Sequence, residues 1–215
     1  MARVRTEQKR EEIVRIAAQV FEDLGFEGTS MATISERVGG SKATLYGYFP
    51  SKDDLLRAVI SHKVTSHAAM MIREFPADPD DLRSSLIKLS TGYLTERMSA
   101  LPINNIRIVT NQPPGSTMGR EFYESTIVPA FAKLAMCFKQ LMDEGKLKQA
   151  DPRLVTLHWK GLSDWDFFER RLLGVISGPD PKEVKAAATA AADAFLQLYG
   201  TEKKAPAKRK TNSTK

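Results

Sequence analysis

Residues 29–52 read Thr-Ser-Met-Ala-Thr-Ile-Ser-Glu-Arg-Val-Gly-Gly-Ser-Lys-Ala-Thr-Leu-Tyr-Gly-Tyr-Phe-Pro-Ser-Lys. Two short helical patterns meet at Gly39-Gly40. In the first, Met31, Ile34 and Val38 recur at three- and four-residue steps and share one face, with Ser30 or Thr29 placed to cap the opening amides. The second starts at Ser41 as N-cap and runs to about Phe49, with Leu45 and Phe49 pointing inward at an i, i+4 spacing. Lys42, Ala43, Thr44, Tyr46 and Tyr48 are left on other faces. Helices of this length do not stand alone in water, so longer elements must pin them.

The flanks supply those elements. From about Glu7 to Leu24, the residues Ile13, Ile16, Ala17, Val20, Phe21 and Leu24 form one apolar stripe. Gly25 follows as a left-handed stop, and Phe26 can fold back on the stripe. Pro50 ends the second short helix. Ser51-Lys52-Asp53-Asp54 then opens another as a Ser-x-x-Asp capping box, with Leu55, Leu56, Val59 and Ile60 turned inward. Two short helices at a glycine turn, braced by longer ones, describe a helix-turn-helix. Its second helix can enter a DNA major groove with N-terminal side chains at the base edges. Amides at helix starts, with Thr and Lys side chains beside them, suit backbone phosphates.

The pattern Gly-Phe-x-x-Thr-Ser-Met-x-x-Ile-x-x-x-Val-Gly-Gly-Ser-Lys-Ala-Thr-Leu-Tyr-Gly-Tyr-Phe-x-Ser-Lys-x-x-Leu resembles the DNA-binding domain of the TetR family over residues 10–60. The resemblance implies a one-component transcriptional regulator, usually a dimeric repressor released by a small molecule. Carried over residue by residue, it places Thr33, Lys42, Ala43 and Tyr46 where the family approaches bases. Thr29, Thr44, Tyr48 and Lys52 fall where it meets phosphates, with Ser41 at the helix mouth beside them. One departure is Gly40, which stands where many members have a small apolar residue.

Charge is unevenly spread. The net charge is +6, but residues 201–215 carry six basic side chains against Glu202, leaving +1 for residues 1–200. Residues 1–62 hold nine basic and nine acidic side chains. Affinity of the helix-turn-helix for DNA must therefore rest on placement rather than bulk charge. The tail, at 201–215, reads as disordered and basic, and residues 1–8 as a basic arm. The N-terminus lacks an apolar signal segment, and no run reaches the ~18 apolar residues that cross a bilayer. A lone cysteine, Cys137, reads as a small core residue and fits a reducing cytoplasm.

The chain beyond residue 60 carries helical periodicity throughout and no strand pattern, so the fold expected is all-α. A three-helix helix-turn-helix domain at 9–62 precedes a larger helical ligand-binding and dimerisation domain at 63–200. The helix from Lys52 is expected to continue to about Phe75. One with Leu82, Leu86, Leu89 and Tyr93 follows, opened by Pro79 and the acids Asp78, Asp80 and Asp81. After a helix at Leu101–Asn111 and a Pro113-Pro114-Gly115 loop, a long helix at about Met118 to Asp143 should kink at Pro129. Asp151-Pro152 opens a helix whose apolar pattern extends from Leu154 to Ile176, and Pro179-Asp180-Pro181 opens the last, Lys182 to Tyr199. The last two helices, one alanine-rich, suit a symmetric four-helix seam between two copies, as the family resemblance also implies. Phe122, Phe131, Phe138, Trp159, Trp165 and Phe167 are candidates for an aromatic-lined ligand cavity, with plain core packing the alternative. Gly-Arg-Glu-Phe-Tyr-Glu at 119–124, with the stretch Trp159 to Leu173, resembles the C-terminal domain of the AefR-like subgroup.

Other chemistry finds no residues to carry it. His62, His67 and His158 are scattered without a partner at metal-ligand spacing, and there is no nucleophile elbow, phosphate loop or dinucleotide fingerprint. No catalytic residue, cofactor or metal is expected. The expectation is a cytoplasmic dimeric repressor that reads a palindrome through two heads and lets go when a small molecule binds. Its rivals are an architectural, weakly specific DNA binder driven by the basic tail, and a helical carrier or enzyme using the aromatic region.

Overall fold

The computed structural model describes residues 6–73, 75 and 81–201. The basic arm before Thr6, the tail after Thr201, the segment with Asp78, Pro79 and Asp80, and the His67 side chain lie outside the described residues. Eleven α-helices run through the described part: α1 (Glu7–Leu24), α2 (Met31–Val38), α3 (Lys42–Tyr48), α4 (Lys52–Arg73), α5 (Leu82–Arg97), α6 (Ala100–Thr110), α7 (Met118–Phe122), α8 (Val128–Asp143), α9 (Pro152–Asp164), α10 (Phe167–Leu172) and α11 (Pro181–Tyr199). No named strand occurs among the described residues; an isolated bridge pairs Leu147 with Gly200. None of these helices is long and apolar enough to cross a membrane.

Local chemistry sets the first boundaries. Thr6 caps α1, Ser30 caps α2 and Ser41 caps α3, each hydroxyl accepting the amide three residues on. Gly39 takes φ 71°, ψ 30°, the left-handed conformation that glycine adopts without penalty. Its N–H and that of Gly40 bond back to Glu36 O and Ser35 O, closing α2 in a Schellman turn. The buried Ser35 hydroxyl donates to Gly40 O at 2.8 Å, so the Gly-Gly turn is held from both sides. Gly25 has φ 71° but ψ 168°, so α1 ends by turning sharply outward rather than in a left-handed helical cap. A Cβ on Gly28 would lie 2.4 Å from Leu24 O. Gly28→Ala is expected to force that turn apart and cost about 1–3 kcal/mol, measured by urea unfolding.

One core joins Ile13, Ala17, Val20 and Phe21 of α1 to Ile34 of α2, Leu45 beside Phe49, and Leu55, Leu56, Val59 and Ile60 of α4. Leu101 of α6 reaches into the same core. The helix α4 is shared, passing through residue 62 without a break and bringing Ile72 to a second core. That second core is built around Leu86, Leu134, Phe138, Trp159 and Phe195. The alanine face of α11 (Ala187, Ala188, Ala191 and Ala192) is buried inside this chain, where α11 lies along α5. Small side chains there allow close helix approach within one protomer, so they are not the surface left for a second copy.

Two expected helices are interrupted. The stretch from Met118 to Asp143 contains a π-turn, Tyr123–Ile127, between α7 and α8. Pro129 has no N–H to donate and its ring crowds the carbonyl four residues back, and the wider turn before it relieves both. The pattern running from Leu154 to Ile176 breaks at Trp165, which has φ 46° and separates α9 from α10. A positive φ on a tryptophan is strained backbone, sustained here by the surrounding structure. Its ring stacks on Phe167 at 6.2 Å.

Candidate nucleic-acid interface and core cavity

The helix α3 is seven residues long and is held by two apolar anchors, Leu45 (2% exposed) and Phe49 just after its end (3% exposed). Arg10 of α1 lies over the Phe49 ring, 5.2 Å from its centroid. With those anchors inward, Lys42, Ala43 and Tyr46 project outward, and Tyr46 is half exposed. Thr33 at the start of α2 is half-buried, its hydroxyl 2.9 Å from Ser30 Oγ. Ser41 Oγ accepts the Thr44 amide at 3.1 Å and lies 2.8 Å from Thr44 Oγ1. The mouth of α3 thus presents two hydroxyls and open first-turn amides, an arrangement suited to a phosphate.

The other three expected phosphate residues also have partners within the chain. Thr29 is 3% exposed, and its hydroxyl donates to Gly25 O at 2.6 Å. Its side chain therefore closes the α1–α2 turn rather than facing outward. Tyr48 Oη accepts the Thr6 amide at 3.1 Å, tying the end of α3 to the start of α1. Lys52 Nζ donates to Phe26 O and Thr29 O, at 2.9 and 3.0 Å, and sits 4.2 Å from the centroid of the Phe26 ring. An ammonium has three donors, so Lys52 both clamps this turn and keeps one N–H for an anion.

A cavity of about 130 Å³ lies between α4, α5, α6, α8, α9 and the α7–π segment. Phe122, Phe131 and Trp159 line it, together with Tyr93. The other three aromatic candidates do not. Phe138 is fully buried in the second core, and Phe167 in a third with Leu94, Met98 and Val184. Trp165 is 53% exposed on the outside. Sequence reasoning also missed the polar wall: Glu96 and Arg97 at the end of α5, and Asn105 on α6. The signal was present in Asn104-Asn105, two amides inside the otherwise apolar run from Leu101 to Ile106.

Behind this wall, Asp164 accepts a hydrogen bond from Tyr93 Oη at 2.9 Å and pairs with Arg97 and Lys160. Burial pushes the Tyr93 phenol well above its usual range; Asp164 adds to this and Arg97 opposes it. Tyr93 is therefore a neutral donor. Burial likewise pushes the Cys137 thiol up, which makes it a poor thiolate and agrees with a packing role. Among the described residues, no group of acidic, histidine or cysteine side chains is placed to hold a metal ion.

Residues 13–59 match the family described as bacterial regulatory proteins, tetR family, and residues 84–201 match the AefR-like transcriptional repressor, C-terminal domain. The chain belongs to the TetR family. It is similar to an uncharacterised HTH-type transcriptional regulator of Mycobacterium bovis, 37% identical over 76 residues, or 35% of this chain and 38% of that protein. The chain thus spans little more than a third of that relative's length. A nucleoid occlusion factor of Aliivibrio fischeri, SlmA, is 29% identical over 152 residues, covering 69% of this chain and 74% of its own. Among solved structures, a TetR-family transcriptional regulator from Mesorhizobium loti superposes with a TM-score of 0.75 at 25% identity, covering 93% of this chain and all of that one. The TetR family consists of helix-turn-helix transcriptional regulators, which are not enzymes.

Within this TetR-type head, Lys42, Ala43 and Tyr46 of α3 are exposed and Thr33 of α2 is half-buried. The aromatic cavity sits behind the head, and Ile60 and Val64 of α4 belong both to the head core and to the cavity wall. Phe122 does the same from α7. A hydrogen bond between Ser61 and Thr126 hydroxyls, 2.9 Å, fastens α4 to the π-turn.

Proposed function

We propose that this protein is a homodimeric repressor acting in the cytoplasm, whose α3 helices read the two halves of a palindromic operator and whose core cavity takes a small molecule that releases it. The observation that carries this reading is the split of α3. Its two anchors are buried, while Lys42, Ala43 and Tyr46 stand exposed at the end that enters a groove. In this reading Ser41, Thr44 and Lys52 hold phosphates, and Tyr48 adds its hydroxyl proton. Thr29 contributes by shaping the turn.

Two heads on one duplex must sit about 34–36 Å apart to meet successive major grooves. A ligand that binds one separation better than the other shifts the population between them, by no more than its difference in affinity. The shared wall residues and the Ser61–Thr126 bond give such a ligand a short mechanical route to α4.

The test uses duplexes selected by the wild-type protein from a random pool. Lys42→Ala and Tyr46→Ala are each expected to weaken binding to the selected duplex by about 1–3 kcal/mol while leaving binding to unrelated DNA unchanged. Retained sequence preference with both substitutions combined would remove these residues as readers. A second reading, an architectural binder, takes support from the basic tail and from the nucleoid occlusion factor among the relatives. It predicts that removing residues 201–215 abolishes binding and that competitor sequence hardly matters.

A further inference from the structure

The cavity has an aromatic wall and a polar end whose groups are not satisfied. Asn105 is fully buried on α6, and neither its Oδ1 nor its Nδ2 has a hydrogen-bond partner among the described residues. Glu96 Oε1 and Arg97 Nε are buried in the same condition. Arg97 Nε is 3.2 Å from Asp164 Oδ1, close enough for an ion pair but without hydrogen-bond alignment. Buried amides are nearly always paired, because an unpaired one forfeits its bonds to water and gains nothing back. Asn105 is not needed by its own helix and lines the cavity. The physical explanation is a partner that arrives from solution.

The donor and acceptor inventory says what kind. Asn105 offers a carbonyl and an NH2 side by side, so it pairs with a group that donates and accepts on neighbouring atoms. Glu96 adds a second acceptor. Arg97 and Lys160 share Asp164, and Glu96 makes the charges even, so a negatively charged ligand would meet the Glu96 carboxylate and a positively charged one the cation that Asp164 leaves unmatched. The fitting ligand is neutral. Size narrows it further: a cavity near 150 Å³ lined by apolar groups takes a single benzene ring, and this one is about 130 Å³. Tyr93, Phe122, Phe131 and Trp159 give such a ring edges and faces to pack on.

We propose that the cavity binds a neutral single-ring aromatic molecule bearing a carboxamide-like group, whose paired donor and acceptor are read by Asn105 with Glu96 as the second acceptor. This rests on the cavity being the effector site proposed above, and its test is run without DNA. Full-length protein is titrated calorimetrically with benzamide, toluene, benzoate and benzylammonium. Benzamide is expected to bind tighter than the other three by about tenfold or more, as expected of a site built around buried polar groups. Asn105→Leu, which keeps the volume and removes the unpaired amide, is expected to erase the benzamide preference, keep toluene binding, and leave the unfolding midpoint unchanged or higher. A midpoint that falls, with benzamide affinity intact, makes Asn105 a packing residue and overturns the proposal. So does toluene binding as tightly as benzamide to the wild type. Glu96→Gln gives an independent reading, since removing the carboxylate should raise benzoate affinity, and no gain overturns the charge argument. Benzamide that binds as expected yet leaves DNA affinity untouched would overturn only the regulatory reading of the cavity.

Discussion

Leu45→Ala is expected to destroy specific DNA binding and to destabilise the head by about 2–5 kcal/mol, the range for emptying a fully buried leucine site. The reason is the economy of α3. A seven-residue helix has no independent stability, and this one is fixed by Leu45, by Phe49 at its end, and by the Tyr48 hydroxyl on the Thr6 amide. Leu45 sits at its centre, one residue before Tyr46 and three after Lys42, so the residues proposed to face bases keep their positions only while Leu45 is seated. The loss is expected to be local. Hydrogen exchange should speed up at the amides of α2 and α3 and stay slow in α5, α9 and α11, whose core around Trp159 and Phe195 does not include Leu45. If the helix must be re-formed on DNA, affinity falls about tenfold for each 1.4 kcal/mol lost. Unchanged operator affinity in a folded Leu45→Ala protein would mean that another surface reads the DNA.

The head was legible because short-range chemistry decides it. Hydroxyl caps at Thr6, Ser30 and Ser41, the left-handed Gly39 and the stop at Pro50 act within four residues of where they are written. The expected limits of α1 and α2 therefore coincide with the observed ones, and α3 keeps Ser41 as its N-cap and ends one residue earlier than expected, as helix ends do. What failed depended on distant partners. Apolar spacing runs smoothly across Trp165, so periodicity alone continues the helix there. The break is supported by Asp164, which Tyr93, Arg97 and Lys160 hold from the side. The π-turn was half visible, since Pro129 announces a distortion without saying which kind. Aromatic residues at helical spacing gave the cavity only in part: Phe122, Phe131 and Trp159 face it, while Phe138 and Phe167 fill cores and Trp165 faces outward. Nothing local distinguishes these six, because a face is apolar whether it meets a neighbour or a hollow. The inward bond of Thr29 was hidden for a related reason. Its hydroxyl donates to the carbonyl of Gly25, four residues back, a bond that depends on how the chain between them turns.

Leu157→Arg is expected to convert the proposed dimer into folded monomers and to weaken operator binding by about 10²–10⁴, the advantage that two linked heads hold over one. The argument begins with the alanines of α11, whose close-packing face is taken by α5. A seam formed by the last helices must then use their outer sides. On α9 these carry Leu154 (46% exposed), Leu157 (45%) and the bare backbone of Gly161 on one stripe. On neighbouring α11 they carry Ala186, Ala190 and Leu198, beside the 2.5 Å contact between His158 Nδ1 and Tyr199 Oη. Exposed leucines on two adjacent helices are what an unsatisfied interface looks like. In a two-fold seam each Leu157 is buried by the partner copy, and a guanidinium there would be desolvated without a counter-charge. In the lone protomer the same position is open, so stability should change by no more than about 0.5 kcal/mol. The two readouts separate cause from consequence. Sedimentation reports the assembly and thermal unfolding the fold, while DNA anisotropy with whole and half operators reports whether the lost affinity is the second head's share. A Leu157→Arg protein that remains dimeric places the seam elsewhere, and one that is monomeric yet binds the whole operator undiminished removes the need for two heads.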